Sequence, residues 1–136
     1  MSLVEQLVRD EELRLKPYRD SVGKLTIGVG RNLDDVGVTQ AEALALLAND
    51  IQNARSHLEQ YLPWAGGLDE VREAALVNMC FNMGIGALMN FHKFLAALQA
   101  GDYKTAAAEM LDSLWAKQVG IRAQRLALQI ETGFWQ

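Results

Sequence analysis

The chain has 136 residues, half of them hydrophobic and 22% charged, with 11 Gly and 2 Pro. That is enough for one compact domain with a core of its own, and it excludes collagen-like, low-complexity and disordered classes. Thirteen Lys and Arg against 17 Asp and Glu leave a formal charge of −4, so nothing here advertises a nucleic-acid binder. One cysteine excludes a disulfide framework. His57 and His92 share no short ligand motif, so no metal site is expected.

At the amino terminus, Ser2 and Glu5 form an S-x-x-E capping box, and Leu3, Val4, Leu7 and Val8 follow as an apolar stripe at helical spacing. The stripe continues to Glu11, and Pro17 sets the latest end of the helix. Charges at Glu5, Arg9 and Asp10 leave no apolar core for a secretory signal. No run of ~18 apolar residues crosses a membrane. The chain is accordingly expected to be soluble in the cytoplasm of the cell that makes it.

The period then changes. Leu25, Ile27 and Val29 alternate with Thr26, Gly28 and Gly30, which predicts a strand with one buried face. Ser21-Val22-Gly23-Lys24 supplies a turn, making Tyr18–Asp20 the partner strand of a hairpin. Asn32 to Gly37 reads as loop. Thr39 and Glu42 form a second capping box ahead of a long amphipathic helix reaching about Tyr61. Pro63-Trp64-Ala65-Gly66-Gly67 breaks it.

Asp69 caps a helix that is apolar almost all round from Val71 to Met83, the expected hub of a helical lobe. Shorter helices are predicted around Ala87–Phe91, at Lys93–Ala100 and from Asp102 to about Ser113. A last one, Ile121–Thr132, is stopped by Gly133.

Two carboxyls stand out. Glu11 prolongs an apolar stripe and lies at a helix C-terminus. Burial there and the helix dipole both favour the neutral form that a general acid needs. The competing reading is an edge glutamate paired with Arg14. Asp20 sits beside the hairpin turn, where an aspartate commonly caps backbone amides. Thr26, flanked by Gly28 and Gly30, occupies a strand face left bare for a ligand. A carboxyl at a helix end, another on the hairpin and a hydroxyl on the adjoining strand can meet at one cleft. Two carboxyls in contrasting surroundings are the requirement for glycoside hydrolysis.

The segment Glu11-Glu12-Leu13-Arg14-Leu15-Lys16-Pro17-Tyr18-Arg19-Asp20, with Gly23 and Thr26-Ile27-Gly28-Val29-Gly30, resembles the catalytic stretch of the phage lysozymes of glycoside hydrolase family 24. Further similarity lies at residues 72–79 with Phe81, Met83 and Gly84, at Arg122 and Arg125, and at Thr132-Gly133-Phe134-Trp135. The resemblance implies an α+β, predominantly helical lysozyme-like fold in a single domain, residues 1–136. A hairpin lobe of about 14–60 would be joined by the long helix to a helical lobe of about 61–136 plus helix 1–13, with substrate in the cleft between lobes.

It makes Glu11 the proton donor, Asp20 the second catalytic carboxylate and Thr26 its helper in holding water. It sets Arg122 near the catalytic glutamate, and Gly30, Asn32, Phe81 and Asn82 along the substrate. Arg31 stands where relatives carry a histidine paired with an aspartate at the position of Asp50, so an Arg31–Asp50 ion pair without titration near neutrality is expected. The loop from Arg31 to Thr39 is shorter than in the longest members.

The activity implied is that of a muramidase. It would cut the β-1,4 bond between N-acetylmuramic acid and N-acetylglucosamine in bacterial cell walls with inversion and no cofactor, as a monomer whose partner is the peptidoglycan glycan strand. The family further implies reaching the wall through a permeabilised membrane. The negative charge predicts a shallow salt dependence. A catalytically silent wall-binding module and a lytic transglycosylase using Glu11 alone are the alternatives. Cys80, amid Val77, Met79 and Phe81, reads as a buried structural thiol, and the three tryptophans read as packing residues.

Overall fold

A computed structural model describes all residues, Met1–Gln136, as seven helices and one small sheet. The chain forms two compact units, Met1–Leu46 and Leu47–Gln136.

In the first unit, α1 (Leu3–Glu11) starts on the expected capping box. The Ser2 hydroxyl accepts the Glu5 amide, and the Glu5 carboxylate accepts the Ser2 amide at 2.7 Å. It ends at Glu12, whose φ of 63° and ψ of 143° lie where side chains are strained. Strands β1 (Leu13–Arg19), β2 (Leu25–Val29) and β3 (Arg31–Asn32) form an antiparallel sheet in that order.

β1 is longer than the sequence suggests and passes through Pro17. Its register with β2 is irregular between Arg14 and Tyr18, and it lies at the sheet edge, where a residue without an amide hydrogen costs no ladder bond. β3 takes the first residue of what reads as loop. Asn32 pairs with Thr26, and Asn32 O then accepts the Val36 and Gly37 amides to turn the chain. Thr26 is the one buried residue of this unit. The expected buried stripe of α1 is corrected: the helix buries none of its residues, with Leu3 67% and Val4 70% exposed.

α2 (Gln40–Tyr61) runs through the boundary between the units. The second unit holds the core. After a 3-10 turn at Pro63–Gly67 come α3 (Glu70–Leu88), α4 (His92–Gln99), α5 (Tyr103–Leu111), α6 (Leu114–Val119) and α7 (Ile121–Thr132). Asp69 caps α3 by accepting the Arg72 amide, and α3 buries Ala75, Leu76, Val77, Met79, Cys80 and Leu88, as its all-round apolarity demands. Gly84, at φ 82° and ψ 159°, is not helical and kinks α3, so the residues after it form a short helical piece that overlaps the one expected near Ala87.

α5 packs on both α4 and α7, enclosing Phe94, Leu98, Met110 and Ile130. α6 has no counterpart in the sequence reading: Ser113 caps it through the Ala116 amide and seats Trp115 against Phe91. Gly133, at φ 74°, closes α7 as expected. Trp115 is buried and Trp64 packs on the core, whereas Trp135 is 62% exposed and is no packing residue. Cys80 is buried, and burial pushes its thiol above the ordinary range. No helix is long and apolar enough to cross a membrane.

Candidate active site

The hairpin turn assembles the first part of the site. Asp20 Oδ1 accepts the amides of Val22 at 3.0 Å and Lys24 at 2.8 Å, the capping role its position suggests. In return, Lys24 O accepts the Asp20 amide at 2.9 Å and the Thr26 hydroxyl at 2.9 Å. The turn thus fixes one carboxylate oxygen in place, and Asp20 Oδ2 takes no protein hydrogen bond. Thr26 differs from the sequence reading. Its face is not bare: the residue is 3% exposed, and its only hydroxyl proton is committed to Lys24. That leaves Thr26 Oγ1 able to accept but not to donate.

The second part is the end of α1. Glu11 lies at the last helical position, beside the strained Glu12. Its carboxyl rests on the backbone of Gly30, where a Cβ would stand 2.8 Å from Oε2 and 3.0 Å from Cδ. Only a glycine leaves that volume, and the φ of 69° at Gly30 favours one as well. The expected apolar surroundings are corrected here: Glu11 is exposed. Its alternative partner Arg14 instead meets Glu12 at 3.4 Å and lies over the Tyr18 ring. Thr26 and Gly28 lie in β2 and Gly30 directly follows it, with Gly28 and Gly30 both at φ 69°.

The remaining sequence candidates of this unit are engaged otherwise. Asn32 spends its side chain on the loop, donating to Asp35 Oδ2 at 3.0 Å and accepting the Asp35 amide at 2.9 Å. Arg31 does not pair with Asp50. Its Nη1 donates to Glu42 Oε1 at 2.8 Å and to Gly37 O at 3.1 Å, because the short loop returns the chain so that the first turn of α2 is the nearest carboxylate. Glu42 Oε1 also accepts the Thr39 amide at 3.0 Å. Arg31, with Thr39 behind it, holds the Glu42 carboxyl down at about 2, and Arg31 is correspondingly raised. The Thr39–Glu42 capping box could have pointed to this pair, since it places the carboxylate at the α2 N-terminus.

In Leu47–Gln136, Arg122 donates through Nε and Nη2 to Asn78 Oδ1, at 3.0 and 2.7 Å. Asn82 Oδ1 accepts the indole N–H of Trp115 at 2.7 Å. Phe81, 44% exposed, lines a cavity of about 370 Å³ with Ile51, Val77, Arg122 and Trp135.

Comparison with known proteins bears on the whole chain. The phage lysozyme family model matches residues 8–129. The pre-baseplate central spike protein of Enterobacteria phage T4 is 33% identical over 98% of this chain, which spans 28% of that protein's length. A probable T4-type lysozyme of Dictyostelium discoideum is 29% identical, with 97% of this chain and 95% of the relative covered. An endolysin of Acyrthosiphon pisum secondary endosymbiont phage 1 is 34% identical over 80% of this chain and 73% of its own. On this match, with a helix-end glutamate and a hairpin aspartate in the expected segment, the chain belongs to the phage lysozyme family, a family of glycoside hydrolases.

Proposed function

We propose that the protein is a peptidoglycan muramidase that cuts the β-1,4 bond between N-acetylmuramic acid and N-acetylglucosamine with inversion. Glu11 protonates the leaving glycosidic oxygen. Asp20, acting as base, and Thr26 direct a water at the anomeric carbon from the opposite face of the sugar. The observation that carries this is the shared acceptor at Lys24. Because the Thr26 hydroxyl donates its hydrogen bond to Lys24 O, and Asp20 Oδ2 takes no protein hydrogen bond, both oxygens are left as acceptors, and in this reading they take the two hydrogens of one water. That water's lone pair is then free for attack. At Gly28 nothing lies within 4 Å of where a side chain would begin, which leaves room for a sugar ring, while the space at Gly30 holds the Glu11 carboxyl. The reaction needs no metal or organic cofactor.

In this reading the protein acts as a monomer on the glycan strand and reaches it through a permeabilised membrane. The relatives support the substrate, since among them are a probable lysozyme and an endolysin.

The test is to digest purified cell wall with the protein and with Glu11→Gln and Asp20→Asn, then identify the new sugar ends and their first anomer. Reducing ends that appear initially as the α-anomer, and vanish in both variants, are the expected result. An initial β-anomer overturns inversion. Anhydromuramic ends that survive Asp20→Asn identify a transglycosylase, and no ends at all a wall-binding module.

A further inference from the structure

The carboxyl of Glu11 packs against the Gly30 backbone in the space that a Cβ would fill, so a shift of that backbone alters the space open to the acid. Gly28 and Gly30 both have φ of 69°, and between them only Val29 is conventional strand, paired with Leu13. Glycine lacks conformational stiffness of its own, so two so close together make a pliant support. On the far side of Gly30, β3 is just two residues long. Its ladder consists of pairings at Asn32 and Arg31, and the Leu33 amide on Leu25 O follows at 2.7 Å.

The loop after β3 is held to the hairpin by the Leu25 amide on Asp34 Oδ2 at 2.8 Å and by Lys24 Nζ on Asp35 at 3.2 Å, and Arg31 adds its tie to α2. One guanidinium nitrogen, Nη1, reaches both Gly37 O and Glu42 Oε1, closing the loop onto the first turn of α2. Glu42 is itself fixed, its carboxylate on the Thr39 amide and its own amide on Thr39 Oγ1. The residue next to the support of the acid is thereby fastened to a 22-residue helix.

We propose that Arg31 and Glu42 are positioning residues: clamped together, they hold Gly30 at the height where the Glu11 carboxyl meets the glycosidic oxygen. Neither touches substrate. The pair is more than one-third exposed on both sides, 37% and 41%, so its contribution to global stability is small and its effect is local to this joint. The proposal rests on Glu11 being the acid.

The test measures turnover of purified cell wall by the full chain and by Arg31→Met, Glu42→Ala, Glu42→Gln and the double variant Arg31→Met/Glu42→Ala. A misplaced acid slows chemistry without weakening binding. The expected result is therefore a kcat lowered about tenfold in either single variant, below the hundredfold that a 1 Å displacement can cost, with KM within about twofold. The double variant falls no further than the singles, since one clamp can be opened only once. Glu42→Gln, which still accepts from Thr39, keeps the α2 cap and stands between.

Unchanged kcat in all variants overturns the proposal, as does an additive double variant. If Glu42→Ala unfolds, Glu42→Gln and Arg31→Met decide by the same split of kcat from KM. A wild-type protein that releases no sugar ends refutes the muramidase reading and not the clamp. The clamp is then read from the amide resonance of Gly30, which must shift in Arg31→Met and in Glu42→Gln alike.

Discussion

The amide of Asp20 and the hydroxyl of Thr26 end on the same acceptor, the Lys24 carbonyl, each at 2.9 Å. One backbone oxygen thus ties the two strands of the hairpin, at the pair to which the proposed mechanism gives the attacking water. Thr26→Val keeps the shape and the strand preference but removes the acceptor oxygen. It forfeits a hydrogen bond worth about 1 kcal/mol, while Lys24 O retains the Asp20 amide. The expected outcome is a near-native melting curve with wall-cleaving turnover down at least about a hundredfold, the scale of a lost acid–base contact. Turnover within threefold of wild type would remove Thr26 from the mechanism.

Gly28 and Gly30 share a φ of 69° but differ in what faces them. A Cβ on Gly28 meets nothing within 4 Å, whereas on Gly30 it collides with Glu11 Oε2 at 2.8 Å. Gly28→Ala and Gly30→Ala should both destabilise the protein by about 1–2 kcal/mol, since both force an alanine into left-handed backbone. Only Gly30→Ala should also displace the acid. Denaturant melts should show similar losses. Activity measured well below either midpoint should separate the two by at least about tenfold.

Glu12 is the one residue other than glycine with positive φ. Its ψ of 143° is far from the left-handed helical well, so the side chain is carried at a cost of roughly 1–3 kcal/mol. Glu12→Gly relieves that strain, less the extra freedom glycine gives the unfolded chain and a loose contact to Arg14. A net gain of about 1 kcal/mol follows, a rise of about 3–4 °C in Tm. Calorimetry showing a lower Tm would mean that the strain is illusory or that the side chain is needed.

The pH behaviour of the clamp follows from Glu42, whose folded carboxyl is held at about 2, chiefly by the Arg31 hydrogen bond. A group depressed on folding adds stability that is fully present above its unfolded value of about 4.3 and is lost as pH falls towards 2. Arg31 is raised from an already high value, so it loses nothing until far above neutrality. Met1–Leu46 contains no histidine. The clamp should therefore be intact from about pH 5 upwards through neutrality, with no inflection near 6.5. A carbon-detected NMR titration of the Glu42 carboxyl should show its midpoint near 2, and Arg31→Met should bring it up towards the ordinary range.

The sequence was most legible where local chemistry acts alone. Both capping boxes, the glycine stop after Thr132 and the all-round apolar helix at α3 form as patterned, because a cap or a stripe needs no distant partner. The hairpin aspartate was legible as a turn cap, since its carboxylate accepts the Val22 and Lys24 amides of its own turn. What failed was inference about neighbours. The stripe of α1 has the right spacing but stays exposed, since periodicity tells which face is apolar and not what covers it. β1 passes through Pro17 because an irregular edge strand forgives a missing donor. Arg31 chose Glu42 over Asp50 because a short loop, invisible to pattern, decides which carboxylate lies within reach.

Arg72 gives the second unit a test independent of any catalytic reading. Its guanidinium Nε donates to Ile130 O at 2.6 Å and Nη2 to Glu131 O at 3.1 Å, capping the last turn of α7. Nη1 meets Asp69 at 3.1 Å, and the plane lies 3.6 Å from the Tyr103 ring centroid. Gly133 leaves the space in which it sits, its missing Cβ 3.0 Å from Nη1. With a side chain only 15% exposed, Arg72 bonds α3 to α7 and stacks on α5 at once. Lysine keeps the charge but has neither the flat face nor the fork. Arg72→Lys should therefore cost about 1–2 kcal/mol, and Arg72→Met about 2–4 kcal/mol by leaving the α7 carbonyls and Asp69 without their donor. Hydrogen exchange should then quicken first at amides near the α7 C-terminus. Equal losses for lysine and methionine would show that charge is irrelevant here and that packing against Tyr103 carries the joint.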